Sequence, residues 1–302
     1  MSISQALEVV IGLIFVYYVL GSLVSLITQW INEAFETRGK SLERHLMKIV
    51  GTKHVGDFVK LPQLQALRPI RYKNAFSFIT SATEPKMLEK IPAGTLVESY
   101  FDFVGLTASK EFEVDELKEL INAFPDSEGK QAMLKWVNQG VTSVEELRKR
   151  TLTYFTGVME QAGATFRANA RSFVIMLSVF LTLLLGTDSI QLARTLWSNS
   201  SVRALAVAQA ELVVQQDDAE ARMDDLLQEL LDLNIIRIGW WQTELPAPGS
   251  TLAEWGSFAV LKIVGLGLTA IAVSQGSSFW YDLLKKIVSK GGGGGDSGEA
   301  KG

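Results

Sequence analysis

The sequence predicts an all-α integral membrane protein, and three observations carry that prediction. Residues 9–31 run for 23 positions without a charge, and two further apolar runs lie at 172–196 and 257–278. The segments between them place apolar residues three and four positions apart, the period of a helix. Cysteine is absent from the 302 residues, so disulfides, thiolate catalysis and cysteine-ligated metals are excluded.

The first run would reach about 34 Å as a helix, against roughly 30 Å of hydrocarbon. It has neither a basic region before it nor a small-residue cleavage pattern, so it is expected to be an uncleaved anchor. The second run opens with FVIMLSVFLTLLLG, only 14 residues, followed by TDSIQLARTLW. Fourteen residues reach about 21 Å, so the span either continues through Asp188 or breaks there. The third, FAVLKIVGLGLTAIAVS, carries Lys262.

The predicted organisation is a first transmembrane helix (1–32), a helical cytoplasmic domain (33–171), a second transmembrane helix (172–196) and an outer, periplasmic helical hairpin (197–256). A third transmembrane helix (257–278), an interfacial amphipathic helix (279–290) and a disordered glycine-rich tail (291–302) complete it. Basic residues orient the spans. Residues 1–8 hold no Lys or Arg, whereas Arg38, Lys40, Arg44 and Lys48 follow the first span and Arg167 and Arg171 precede the second. Residues 188–256 hold four Arg and no Lys against eleven Asp and Glu, 4 − 11 = −7. The consistent solution is N-terminus out and C-terminus in, across a bacterial inner membrane.

The cytoplasmic segment balances 20 Lys and Arg against 18 Asp and Glu, and the whole chain carries −4, so no nucleic-acid partner is expected. INEAFETRGKSLERHLMKIV places Leu42, Leu46, Ile49 and Val50 on one helical face. TSVEELRKRTLTYFTGVMEQAGATFRANARS reads as one helix entering the second span, capped by Thr142 or Ser143 with Glu145 or Glu146. Shorter helices are expected at 93–104 and within DELKELINAF. In the outer hairpin, Leu226, Leu227, Leu230, Leu231 and Leu233 form an apolar stripe. The only histidines, His45 and His54, are nine residues apart, and no metalloprotease, nucleophile-elbow, phosphate-loop or dinucleotide motif occurs. No catalytic residue, metal or cofactor is therefore predicted.

Charges inside the spans are the informative sites, because an unpaired charge in hydrocarbon costs several kcal/mol. Asp188 and Lys262 fall at similar depth. Two readings stay open: an ion pair joining spans two and three, or a snorkelling Lys262 with Asp188 capping a new helix. Trp240, Trp241 and Trp255 flank the outer end of span three, and Phe279, Trp280 and Tyr281 its inner end, as interfacial anchors. Gly21 with Ser25, and Gly265 with Thr269, form small-residue pairs suited to helix packing.

YFTGVMEQAGATFRANARS, GTDSIQLARTLWSNSSVRALAVAQA and LTAIAVSQGSSFWYDLLKKIV together resemble a family of uncharacterised bacterial integral membrane proteins with an N-terminal span, a helical cytoplasmic segment and two later spans. In that family the last piece ends aromatic-Trp-aromatic-Asp-Leu-Leu, commonly before an asparagine; Lys285 stands there in this chain. The resemblance implies the topology and no activity. The expected function is a non-enzymatic membrane anchor or scaffold, held in the lipid bilayer and presenting its cytoplasmic module to protein partners. The alternative is a homo-oligomeric pore or membrane-perturbing effector lined by Asp188 and the polar face of span one.

Overall fold

A computed structural model describes residues 3–72, 83–106, 113–215 and 245–291, with positions 226, 228 and 230. Trp240, Trp241, Leu227, Leu231, Leu233 and the tail from residue 292 lie outside the described residues. The chain divides into two compact units, one built from both chain ends (Met1–Ile31 and Arg171–Gly302) and one from the middle (Asn32–Ala170).

The middle unit follows from its helical periodicity. Helix α1 (Ile3–Phe35) ends where Glu36 adopts φ 48°, and α2 (Thr37–Val50) begins directly after it. Leu42, Leu46, Ile49 and Val50 are all buried, on the face their spacing predicts. Gly51, at φ 94°, stops α2 in a conformation that favours glycine. Two single-turn helices, α3 (Val55–Phe58) and α4 (Pro62–Gln65), then bring Phe58 and Leu64 into the core.

Strands β1 (Ile70–Tyr72) and β2 (Thr83–Pro85) pair antiparallel, a small sheet the all-α reading did not contain. The predicted short helices are α5 (Ala93–Phe103) and α6 (Val114–Asn122). Helix α7 (Glu128–Asn138), not anticipated, is capped by Ser127, whose hydroxyl accepts from Lys130 N. It crosses α2 closely, since a Cβ on Gly129 would collide with the Ile49 carbonyl.

Helix α8 (Val144–Leu185) is the single 42-residue helix expected to enter the second span. Ser143 caps it by accepting from Glu146 N at 3.0 Å, while the Glu146 carboxylate turns to Arg150 at 2.8 Å and leaves the capping box unformed. Tyr100, Phe101 and Phe155 fill the middle of this core, with Tyr100 edge-on to Phe155 at 5.3 Å.

The other unit contains α1, the end of α8, and helices α9 (Ser189–Ser198), α10 (Ser200–Gln215), α11 (Leu252–Ser274) and α12 (Ser277–Gly291). Helices α1, α8 and α11 are long and apolar enough to cross a membrane. Of their most apolar stretches, 56% of α1 is buried within the protein against 33% of α11 and 17% of α8, which makes α1 the hub. Phe180 on α8 and Ile263 and Ile271 on α11 are more than half exposed. Apolar faces this continuous suit hydrocarbon and not water.

Three expectations change here. The segment 172–196 is not one helix: Gly186, at φ 64°, ends α8, and a new helix starts at Ser189. The amphipathic helix begins at Ser277, after Gly276 at φ 86° breaks the chain.

The first arm of the expected outer hairpin also does not project away from the spans. Arg203 pairs with Glu8 at 2.9 Å and Ala206 packs over Gly12, so α10 runs parallel to α1 along its side. Val202, Ala206, Ala210 and Val213 are buried there, small enough for close approach. Helix α10 also packs against α12. Outer hairpin and inner float were expected on opposite faces of the bilayer; two helices in contact cannot both be so placed unless one enters it.

Candidate functional site

The most distinctive chemistry among the described residues is a buried polar cluster where α1, α9 and α11 meet. Its origin is the helix break. Once Gly186 ends α8, Asp188 takes an extended conformation (φ −116°, ψ 117°) and its Oδ1 accepts from Ile190 N at 2.8 Å and Gln191 N at 3.3 Å. An aspartate at this position satisfies backbone donors that the helix cannot, and its charge meets the positive end of the helix dipole.

The other carboxylate oxygen, Oδ2, stands 3.7 Å from Lys262 Nζ, and both side chains are almost inaccessible, at 7% and 6%. Lys262 Nζ also donates to Gln191 Oε1 at 3.4 Å. The geometry joins the ion pair of the first reading to the cap of the second: Asp188 caps α9 and faces the lysine of α11 with its second oxygen, and Lys262, buried, does not snorkel. At 3.7 Å the contact is an ion pair and not a short charge-assisted hydrogen bond.

Gly265 is the reason they can meet. A Cβ built on it would overlap the Asp188 carboxylate, so only glycine leaves room for the capping turn against α11. One turn on, Thr269 Oγ1 lies 3.0 Å from the Gly265 carbonyl and 2.8 Å from Ser189 Oγ, and Tyr17 Oη lies 2.7 Å from Ser189 Oγ. Each hydroxyl has one proton to give. Thr269 spends its proton on the carbonyl, so Ser189 must donate to Thr269, and Tyr17 donates to Ser189. The result is a directed chain from α1 through α9 to α11.

The remaining predicted residues are placed as follows. Gly21 abuts the Gly276–Ser277 backbone, where a Cβ would come within 3.1 Å of Ser277 N, while Ser25 turns its hydroxyl onto the Gly21 carbonyl of its own helix. Trp255 is 43% exposed beside Phe258, at the start of α11, where Thr251 and Glu254 form a capping box.

Of the three aromatics Phe279, Trp280 and Tyr281, only Phe279 is exposed. Trp280 donates its Nε1–H to the Ala272 carbonyl at 2.7 Å and packs on Tyr17 at 4.9 Å; Tyr281 lies 6.1 Å from Tyr18. The indole N–H is therefore satisfied by the protein's own backbone. His45 Nδ1 contacts the Ser41 carbonyl at 2.8 Å and His54 meets Phe103 edge-on, so the histidines serve separate local contacts.

Sequence reasoning passed over Tyr17, Ser189 and Gln191. The string Gly186-Thr187-Asp188-Ser189 carried a usable signal, a helix stop followed by a cap, and a cap fixes where the next residues point. No protein-family model, curated protein or solved structure matches this chain. What the arrangement can do must be read from its own geometry. The cluster fastens three helices together; among the described residues, no group of three His, Asp or Glu side chains gathers as a metal site would need.

Proposed function

We propose that this protein is a non-enzymatic membrane anchor or scaffold that holds a helical module at a bacterial inner membrane for protein partners. The observation that carries the reading is the division of the chain. Both ends assemble the unit with the apolar, membrane-length helices, while the middle forms a separately cored helical unit. A module whose chain enters and leaves by way of membrane helices is tethered at both ends. In this reading the module faces the cytoplasm, with the N-terminus outside and the C-terminus inside.

The pore alternative gains no support from Asp188, whose oxygens are engaged with α9 and Lys262 and whose side chain is 7% exposed. A residue lining a water-filled path would have to present its charge to that path.

The test is purification of the full chain, mildly solubilised, from its own membrane. A soluble protein retained in fixed ratio, and lost when exposed charges of the middle unit are reversed, supports the scaffold. A ring of identical chains that conducts ions in liposomes overturns it. Orientation is separately measurable because the chain has no cysteine: Glu254→Cys should label from outside intact cells and Lys285→Cys only after permeabilisation.

A further inference from the structure

We infer that the groove between α1, α9 and α11 is a binding site for one anionic phospholipid. The groove has a volume of about 760 Å³, within the range of sites that enclose a ligand of drug size. Its walls are apolar, from Val9 and Leu13 on α1, Ile190 and Ala193 on α9 and Leu268 on α11. Trp197, whose carbonyl accepts from Gln5, marks one end, and Tyr17 the other. Twelve residues of α1 separate Gln5 from Tyr17, or about 18 Å of helix. That is a slot for an acyl chain lying along the helices.

The groove is not uniformly apolar. Arg194 lines it, is exposed, and makes no ion pair among the described residues. Trp197, 41% exposed, and Ser198 stand within one turn of it. A guanidinium offers a phosphate two parallel N–H donors, and an indole is at home where acyl chain gives way to headgroup. A cation at an apolar slot is the complement of a phosphodiester attached to a hydrocarbon chain.

A second copy of this chain fits less well. An isologous contact through this face would bring no carboxylate from the groove to either Arg194, since none lines it. The bilayer supplies the phospholipid at high local concentration, and α1 and α11 are two of the membrane-length helices. The inference stands apart from the scaffold reading and does not depend on it.

The experiment reconstitutes the full chain in vesicles of equal parts phosphatidylethanolamine and phosphatidylglycerol, releases it in mild detergent, and reads bound lipid by native mass spectrometry. The expected result is one retained phospholipid per chain, enriched in phosphatidylglycerol. Arg194→Gln should lower that enrichment about fivefold, the effect of one basic residue near an anionic headgroup. Ala193→Trp, which fills the slot, should abolish retention of both lipids.

If Ala193→Trp does not fold, Leu268→Trp fills the same slot from a position already 49% exposed. Wild-type protein that keeps no lipid, or keeps it in the bilayer ratio with no response to Arg194→Gln, overturns the site. So does retention that survives both tryptophan substitutions.

Discussion

Both units of this chain bury an apolar cluster, but only one of them also buries an ion pair. In the middle unit the centre is aromatic and aliphatic, with Tyr100, Phe101, Phe155, Leu46 and Ile49 below 2% exposure, and the ion pairs Lys60–Asp57 and Arg150–Glu146 sit on the outside. In the unit with the membrane-length helices, Asp188, Lys262, Ser189 and Thr269 are inside and Ile263, Phe180 and Ile271 are outside. The difference follows from the solvent. Water drives apolar groups together, but hydrocarbon rewards no such burial, and helices there are held by close packing and by polar contacts that lipid cannot replace. The middle unit should therefore fail when apolar volume is removed, and the other unit should be sensitive in addition to the loss of a buried polar partner.

The largest effects should come from the ion pair and from the aromatic core. Asp188→Ala removes both the cap and one partner of the buried ion pair with Lys262, and should cost about 3–5 kcal/mol. The double variant Asp188→Asn/Lys262→Met keeps a capping oxygen, buries no charge and should recover most of that loss. Unfolding of the full chain in mixed micelles, followed by tryptophan fluorescence, checks it; a double variant as unstable as Asp188→Ala would show that the charges are not what matters. Phe155→Ala in the middle unit should cost about 3–5 kcal/mol by cavity formation, and no polar substitution should rescue it.

Gly265→Ala tests the same site from the backbone side. Its Cβ would occupy the carboxylate's position, so Asp188 must swing away or α11 must shift. The expected outcome is a loss comparable to Asp188→Ala, with the helix content of α8 and α11 unchanged by circular dichroism. Combining Gly265→Ala with Asp188→Ala should add little, because the clash and the pair disappear together.

Alkaline pH should act on the middle unit. Burial pushes the Tyr100 phenol up to about 12 from an ordinary value of 10.0. A phenol whose folded value is raised favours the folded state fully below pH 10.0, and that advantage is lost as pH rises from there toward about 12. The expected loss across that window is about 2–3 kcal/mol. Tyr100→Phe, which has no proton to lose, should flatten this part of the stability profile; tyrosinate absorbance of the full chain during an alkaline titration reads it.

How much of this was legible in the sequence depends on which force was at work. The amphipathic face Leu42–Leu46–Ile49–Val50 and the 42-residue α8 followed from periodicity, since in water burial tracks apolar spacing. Asp188 and Lys262 could be singled out, and offered as a pair, because charge in an apolar run is conspicuous, but Gln191 and the hydroxyl chain beside them could not. Ser189 and Thr269 are ordinary residues in ordinary helices, and only the turn after Gly186 brings them within 2.8 Å. Helix α10 was misplaced for a related reason. Its buried stripe of Val202, Ala206, Ala210 and Val213 is too small to stand out by hydropathy, yet small size is what lets it lie against α1.

The smallest predicted effect separates the two units most finely, because it deletes a single hydroxyl. Tyr17→Phe removes the first donor of the chain that passes through Ser189 to Thr269 and the Gly265 carbonyl. Interhelical hydrogen bonds between membrane helices average about 0.6 kcal/mol and reach about 1.7. The loss should sit near the lower figure, since Ser189 keeps its own acceptor and the ring keeps its contact with Trp280. Thr269→Val should cost more than Tyr17→Phe, because it leaves Ser189 without its acceptor and also removes the side-chain hydrogen bond to the Gly265 carbonyl. Measured in the same micelles, that order follows from the direction of the chain: Tyr17 only donates, whereas Thr269 both accepts and donates. Equal losses, or the reverse order, would mean that these helices are held by packing at this point and that the hydroxyl chain only fills the space between them.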